Sequence, residues 1–223
     1  MSYAIIRNAN YKKDNLAGLY KHNERKNTNY SNKDINKNNS IKNYSIKQCN
    51  TTYLNAIKIL QKENNLQGRI IKTTNVACEL IITSDKEFFE NIGEKETKRY
   101  FQTAYNFVAS YKNLGEKYIL SAKVHMDETT PHLHLVFVPV VHKLDKNTGK
   151  QIDKIACSEY WKGKDSYRQL QDNFYKYISD NGFDLERGKS KGTKHIDTKT
   201  LKQITNFDNI KYELANNQVQ PIN

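Results

Sequence analysis

YILSAKVHMDETTPHLHLVFVPVV, residues 118–141, decides the reading of this 223-residue chain. Residues 118–125 and 132–141 read as strands, and the turn-rich MDETTP between them holds a proline that disfavours continued pairing. A hairpin is the simplest arrangement, so these neighbouring strands run antiparallel. His132 and His134 then share one strand face, about 6.6–6.8 Å apart. His125 lies on the adjacent strand, ~4.8 Å away. Three imidazoles converging in this way can bind one divalent cation through bonds of roughly 2.0–2.2 Å, leaving positions open for phosphate oxygens or water. Asp127 and Glu128, in the turn, read as ligands, proton acceptors or turn-stabilising acids. A carboxylate beside such a metal is well placed to take a proton from a nucleophile.

Outward from this hairpin, helices alternate with strands. Residues 3–8 form a short strand, and Asp14 is the expected N-cap of a helix running through KHNERK. The asparagine-rich stretch 27–50 has the composition of a loop or linker. An amphipathic helix starts near Thr51 and ends before Gly68. VACELIIT, 76–83, is a largely buried strand, and Ser84 or Asp85 caps a long helical stretch that Gly93 splits. A helix over 157–181 stops at Gly182, followed by the extended FDLERG. Beyond Lys189 the chain is polar, with a short helix expected around 198–205. Because at least one strand pair is hairpin-connected, a mixed or antiparallel α/β sandwich is favoured over a doubly wound sheet.

Charge narrows the partner. Lys and Arg number 36 against 24 Asp and Glu, a net charge of +12, which favours a polyanion. Only six of these cations are arginines (Arg7, Arg25, Arg69, Arg99, Arg168, Arg187), so planar, bidentate phosphate recognition is scarce. One of them, Arg25, lies three residues after His22, so both can address one ligand from a helix face. No stretch approaches the ~20 apolar residues of a membrane span, and the N-terminus lacks a secretory apolar region. Cys49, Cys78 and Cys157 are scattered and odd in number, as suits a reducing compartment. His142 and His195 read as exposed loop residues, and Trp161 as a core anchor.

HNER at 22–25, SNKDIN at 31–36, Asn43-Tyr44, IITSDKEFFE at 81–90, HMDETTPHLH at 125–134 and SDNGFDLERGK at 179–189 occur in the order found in the MobV family of plasmid mobilisation relaxases, which the sequence resembles. The resemblance implies an α/β two-layer sandwich, with a mainly antiparallel sheet of about five strands carrying the metal site. A relaxase domain would occupy residues 1–200. Residues 201–223 would form a tail or the start of the long helical region that follows in relatives. His125, His132 and His134 become the ligands of a divalent cation. Mn²⁺ suits three nitrogen ligands better than hard Mg²⁺, and Zn²⁺ would also be accepted. His22 becomes the nucleophile that links to a DNA 5′-phosphate, Glu128 the acid that activates it, and Arg25 the group that steadies the scissile phosphate.

Asn43 and Tyr44 fall in the family's second motif, where tyrosine is the rival nucleophile. Arg69 and Lys72, in GRIIKTTNV, match the segment with which relatives read DNA. Lysine there replaces an arginine and loses its bidentate fork. The implied activity is nicking, and rejoining, of one strand at a plasmid origin of transfer, which starts mobilisation from the bacterial cytoplasm. Its partner would be origin DNA, single-stranded around the nick. A coupling protein, and oligomerisation through the region that follows in relatives, belong to the same implication; membrane insertion does not. Two other readings stay open: a rolling-circle or transposition nickase using tyrosine, and a DNA-binding repressor with a structural metal.

Overall fold

The computed structural model describes residues 1–188 except 31, 33, 146 and 147. His195, the helix expected around 198–205 and the segment 201–223 lie outside the described residues. The chain opens with β1 (Tyr3–Lys12), which runs four residues past the expected strand. A 3₁₀ turn, Lys13–Asn15, then leads into α1 (Leu16–Asn23). Asp14 therefore falls inside that turn and is not the N-cap; Asn15 takes the position, and no side chain caps it. The longer strand is the reason, because pairing with residue 75 holds Lys12 extended.

From residue 36 on, the asparagine-rich stretch is ordered rather than linker-like. A 3₁₀ helix, Lys37–Lys42, starts where the Asn36 side chain accepts the Asn38 N–H, and β2 (Tyr44–Lys47) follows. α2 (Tyr53–Glu63) begins at Thr52, whose hydroxyl accepts the Asn55 N–H. β3 (Asn75–Thr83) leads to α3 (Lys86–Ser110), capped by Asp85 and interrupted at Gly93. Next come the hairpin strands β4 (Ile119–His125) and β5 (His132–Phe137).

The expected strand over 132–141 divides at Pro139, which has no N–H to give a ladder. β6 (Val140–Leu144) instead pairs with β7 (Gln151–Ile155), an element that the sequence reading missed. The last predicted helix also divides: α4 (Cys157–Tyr160) and α5 (Ser166–Asp180) are separated by a turn containing Gly163 at φ +110°. β8 (Glu186–Arg187) closes the described chain.

Six strands form one sheet in the order β2-β4-β5-β3-β1-β8, every pair antiparallel except β1 with β8. The register divides side chains between two faces. His125 pairs with His132, and His134 with Ile81, so these positions and Glu79 share one face. The alternate residues, Val124, Leu133, Leu135, Leu80 and Ile82, are essentially fully buried on the other face. There α3 and α5 pack on the sheet, joined through Phe107 and Phe174, and Trp161 donates to Cys78 Sγ at 3.3 Å, the anchoring expected of it. α1 and α2 cover part of the histidine face: Tyr53 and Ser121 both donate to Glu24 Oε1, at 3.3 and 3.0 Å. On β1, Arg7 on this same face is exposed, so the floor beside the histidines is open.

No helix among the described residues is long and apolar enough to cross a membrane. Gly93 has φ +74° and ψ 175°, a conformation that only glycine adopts readily. Gly93→Ala should therefore destabilise the chain by about 1–3 kcal/mol through backbone strain alone, since a Cβ there meets nothing within 4 Å. Gly18, helical and equally unobstructed, gives the contrast: Gly18→Ala should stabilise by about 0.4–1 kcal/mol. Urea unfolding of the two variants checks both signs.

Candidate active site

The site is built where the β4–β5 turn meets the end of α1. Each strand histidine has one ring nitrogen committed to an acceptor. His125 Nε2 lies 2.8 Å from the Asn23 carbonyl, His132 Nδ1 2.9 Å from the Thr130 carbonyl, and His134 Nδ1 2.8 Å from Glu79 Oε1. A carbonyl or carboxylate oxygen only accepts, so those nitrogens carry the protons. The remaining lone pairs are His125 Nδ1, His132 Nε2 and His134 Nε2. The first and third are buried and have no partner among the described residues. The three rings lie 4.6–5.2 Å apart, centroid to centroid.

Orphaned, neutral, converging imidazole nitrogens fit a divalent cation. Burial, together with neighbouring cationic groups, pushes His125 down to about 2 and lowers His134 well below its ordinary value, so neither competes with a metal by protonation. Two triads bring their ligand atoms within 4.8 Å of one another: His22, His125 and His134, and His125, Glu128 and His132. His125 belongs to both.

Glu79 was missed in the sequence, although a lone carboxylate inside the apolar run VACELIIT was a visible signal. It is 2% exposed and accepts from Tyr11 (3.0 Å), Asn23 (2.8 Å) and His134 (2.8 Å). It thereby fixes the His134 tautomer and ring orientation, as acceptors behind metal-binding histidines commonly do. Asn23 was missed as well; its amide holds Glu79 while its carbonyl holds His125.

His22, in the last turn of α1, faces this cluster with ring centroids 5.2 Å from His134 and 6.0 Å from His125. Burial, then the Arg25 charge, lowers its proton affinity, while Glu128 and Glu79 oppose the shift. Arg25 adopts φ +52° just beyond the helix. Its Nε and Nη2 donate to Asp127 at 3.0 and 2.6 Å, and Nη2 also to Glu128 at 2.7 Å. Only Nη1 has no partner among the described residues, so most of the fork clamps the turn rather than facing a phosphate.

Asp127 is a turn-stabilising acid. Its side chain is fully buried and also accepts from Ser40 at 2.7 Å, while its backbone carbonyl accepts the Asn36 N–H. Burial alone would raise its pKa, but hydrogen bonds from Arg25 and Ser40 and the Arg25 charge outweigh it and hold the carboxyl well below the usual range. Both Glu128 oxygens are engaged, one by Arg25 and the other by Asn32 at 2.8 Å; its nearest imidazole is His132 Nε2, at 3.8 Å.

The remaining predicted residues are not gathered here. Asn43 Oδ1 accepts the Met126 N–H at 2.7 Å and so fastens β2 to the turn. Tyr44 pairs with Val124, which places it on the sheet face opposite the histidines, beside α3. Its hydroxyl is buried without a partner among the described residues, and burial followed by the Glu94 charge pushes its pKa up to about 12. Arg69 and Lys72 are exposed on the loop that enters β3 at Asn75, six residues before the histidine row, or roughly 20 Å along the strand. Arg7 is nearer: it pairs with Ile81, which pairs with His134, two strand spacings or about 10 Å away. His142, expected in a loop, lies on β6 and is fastened by Asp153 at 2.6 Å and the Asn113 carbonyl at 3.1 Å.

The depressed histidines carry a pH signature. Below about pH 6.5 the unfolded chain takes up protons that folded His125 and His134 refuse, so stability falls as pH drops. Without metal, each should contribute a loss of up to about 1.4 kcal/mol per pH unit. Urea unfolding in a chelator at pH 6.5 and 5.0 measures the slope, and His125→Gln should remove its share.

Comparison with known proteins places this geometry. The family model described as plasmid recombination enzyme, Mob_Pre, matches residues 1–203. A plasmid recombination enzyme of Streptococcus agalactiae is 38% identical over 218 residues, covering 96% of this chain and 42% of that protein. One from Lactiplantibacillus plantarum is 36% identical, covering 92% and 54%. The chain thus spans about half the length of the curated relatives it matches. Among solved structures, the Mn-bound MobM relaxase domain (MOBV; Mob_Pre) in complex with plasmid pMV158 oriT DNA of 22 nucleotides plus a 3′-thiophosphate superimposes with a TM-score of 0.78 at 37% identity, over 91% of this chain and 98% of that one. The same domain on 26-nucleotide oriT DNA gives 0.68 at 33%, over 89% and 99%. The chain belongs to the Mob_Pre family of plasmid recombination enzymes, within the MobV relaxases.

Proposed function

We propose that this domain nicks one strand of plasmid DNA at an origin of transfer, remains joined to the 5′-phosphate through His22, and can reseal the strand. The observation that carries this reading is a neutral, partly buried imidazole on α1 facing the unfilled nitrogens of the strand histidines. A neutral ring has the lone pair that a nucleophile needs. The His22 nitrogen bonds to phosphorus, the bond from phosphorus to the 3′-oxygen breaks, and that oxygen leaves as a hydroxyl after taking up a proton. A phosphoramidate keeps enough energy for the same hydroxyl to attack and rejoin the strand.

His125, His132 and His134 would hold a divalent cation, Mn²⁺ first, as the Mn-bound MobM structures suggest by likeness. Bound there, the cation would neutralise phosphate oxygens as charge develops. Glu128, with both oxygens already taken, serves chiefly as a fixed negative charge. It favours the positive charge that His22 gains on bonding to phosphorus. Arg25 holds Asp127 and Glu128 in place and offers Nη1 to the phosphate. Arg7 on the open floor, and Arg69 and Lys72 on the loop before β3, track the DNA backbone away from the cut.

Supercoiled plasmid carrying the cognate origin, incubated with Mn²⁺, should yield a nicked, protein-linked product. His22→Ala should reduce adduct formation by about a thousandfold or more while still binding Mn²⁺ in calorimetry. Tyr44→Phe should still form an adduct, and the bond should hydrolyse in acid as a phosphoramidate does. An adduct in His22→Ala that disappears in Tyr44→Phe would transfer the nucleophile to tyrosine. No nicking with any divalent cation would favour a repressor. Glu79→Gln should weaken Mn²⁺ binding by about 10–100-fold by releasing the His134 ring. His132→Ala should abolish nicking yet keep salt-sensitive DNA binding.

A further inference from the structure

A cavity of about 620 Å³ opens on the other side of the β4–β5 turn from the histidines, between β2 and the first half of α3. Its volume lies within the range of small-molecule sites. Tyr44, Phe89 and Met126 supply aromatic and thioether walls, with Lys42, Thr97 and Glu128 among the polar lining. Most of the polar lining is already occupied. Thr97 donates to the Gly93 carbonyl, Lys86 pairs with Glu90, Lys98 with Glu94, and both Glu128 oxygens are taken. The Tyr44 hydroxyl is not: it is buried and has no partner among the described residues. A buried hydroxyl left unbonded costs free energy, which a ligand with a polar edge and an apolar face would recover.

Resting on the function proposed above, we infer that this cavity receives one nucleobase of the single strand beside the scissile phosphate, held against Tyr44 and read by its hydroxyl. The route is short. Met126 directly follows His125, and Glu128 borders both the cavity and His132. A strand lying on the histidines therefore passes the cavity mouth at the turn. Every base has a flat face for an aromatic wall and a polar edge for a hydroxyl. Lys42 supplies positive charge for an adjoining phosphate, whereas Lys86 and Lys98 are held by Glu90 and Glu94. Tyr44 would then act in choosing where the strand is cut, not in cutting it.

The test needs neither metal nor cleavage, so it can fail while nicking succeeds, or succeed while nicking fails. Oligothymidylate 12-mers carrying 5-iododeoxyuridine are bound to the full chain, irradiated, and mapped by mass spectrometry. Cross-links are expected at Tyr44, Phe89 or Met126. In fluorescence anisotropy, Tyr44→Ala should weaken oligothymidylate binding by about 5–150-fold. Tyr44→Phe, which keeps the ring and the fold, should alter the ratio of affinities for oligothymidylate and oligodeoxyadenylate by several-fold. Cross-links confined to other residues, or a Tyr44→Ala affinity within twofold of the parent, would overturn the inference. Absence of any single-strand binding would overturn both this inference and the function on which it rests.

Discussion

A carboxylate removed from water must be surrounded by donors, and Asp127 is the point at which two separate pieces of chain supply them. Arg25 brings the end of α1, Ser40 brings the asparagine-rich segment, and the Asn36 N–H closes on the Asp127 carbonyl. Breaking a buried ion pair from one side leaves an uncompensated charge, so these pieces are held as a set. His22 sits three residues before Arg25 and His125 two before Asp127; this one carboxylate thus fixes the distance between the α1 imidazole and the strand imidazoles. Arg25 accepts an unusual left-handed backbone to reach it.

The histidines depend on a second constraint, the supply of acceptors behind them. Asn23, Thr130 and Glu79 each accept a hydrogen bond from one ring, and the opposite nitrogens of His125 and His134 are buried with no partner among the described residues. Such a pocket is unfavourable when empty and gains when a cation fills it, which couples metal loading to folding. Glu79 is itself tied by Tyr11 and Asn23, so the orienting network reaches from β1 through α1 to β5.

Much of this was legible in the sequence because local chemistry agreed with tertiary structure. The His-x-His spacing, the proline-containing turn and the Asp85 cap each acted within a few residues, and each appears as read. What failed depended on distant partners. Asp14 looked like a cap, but β1 pairs with β3 beyond it. The segment 27–50 has few apolar anchors, Tyr44, Ile46 and Cys49 among them, and is held as well by polar contacts that Asn32, Ser40 and Asn43 make with residues 126–128. β7 has no clear alternation and exists because Pro139 frees β6 to take another partner. Of Arg25, expected to steady a phosphate, Nε and Nη2 are spent on acids 102 and 103 positions downstream, which leaves Nη1.

The alternation of β4 and β5 has a consequence for how this gene can change. From Ser121 to His125 the odd-numbered positions of β4, and opposite them the even-numbered positions of β5, hold the imidazole face, while the letters between them hold the packed interior against α3 and α5. A substitution touches one of these two interleaved texts and spares the other. Losing or gaining a single residue between Ser121 and His125, or inside β5, would exchange them, turning histidines into the oil and leucines toward the substrate, whereas the irregularity between Ile119 and Ser121 already absorbs one residue. A change of length is thus tolerated outside these two stretches, which can vary only letter by letter.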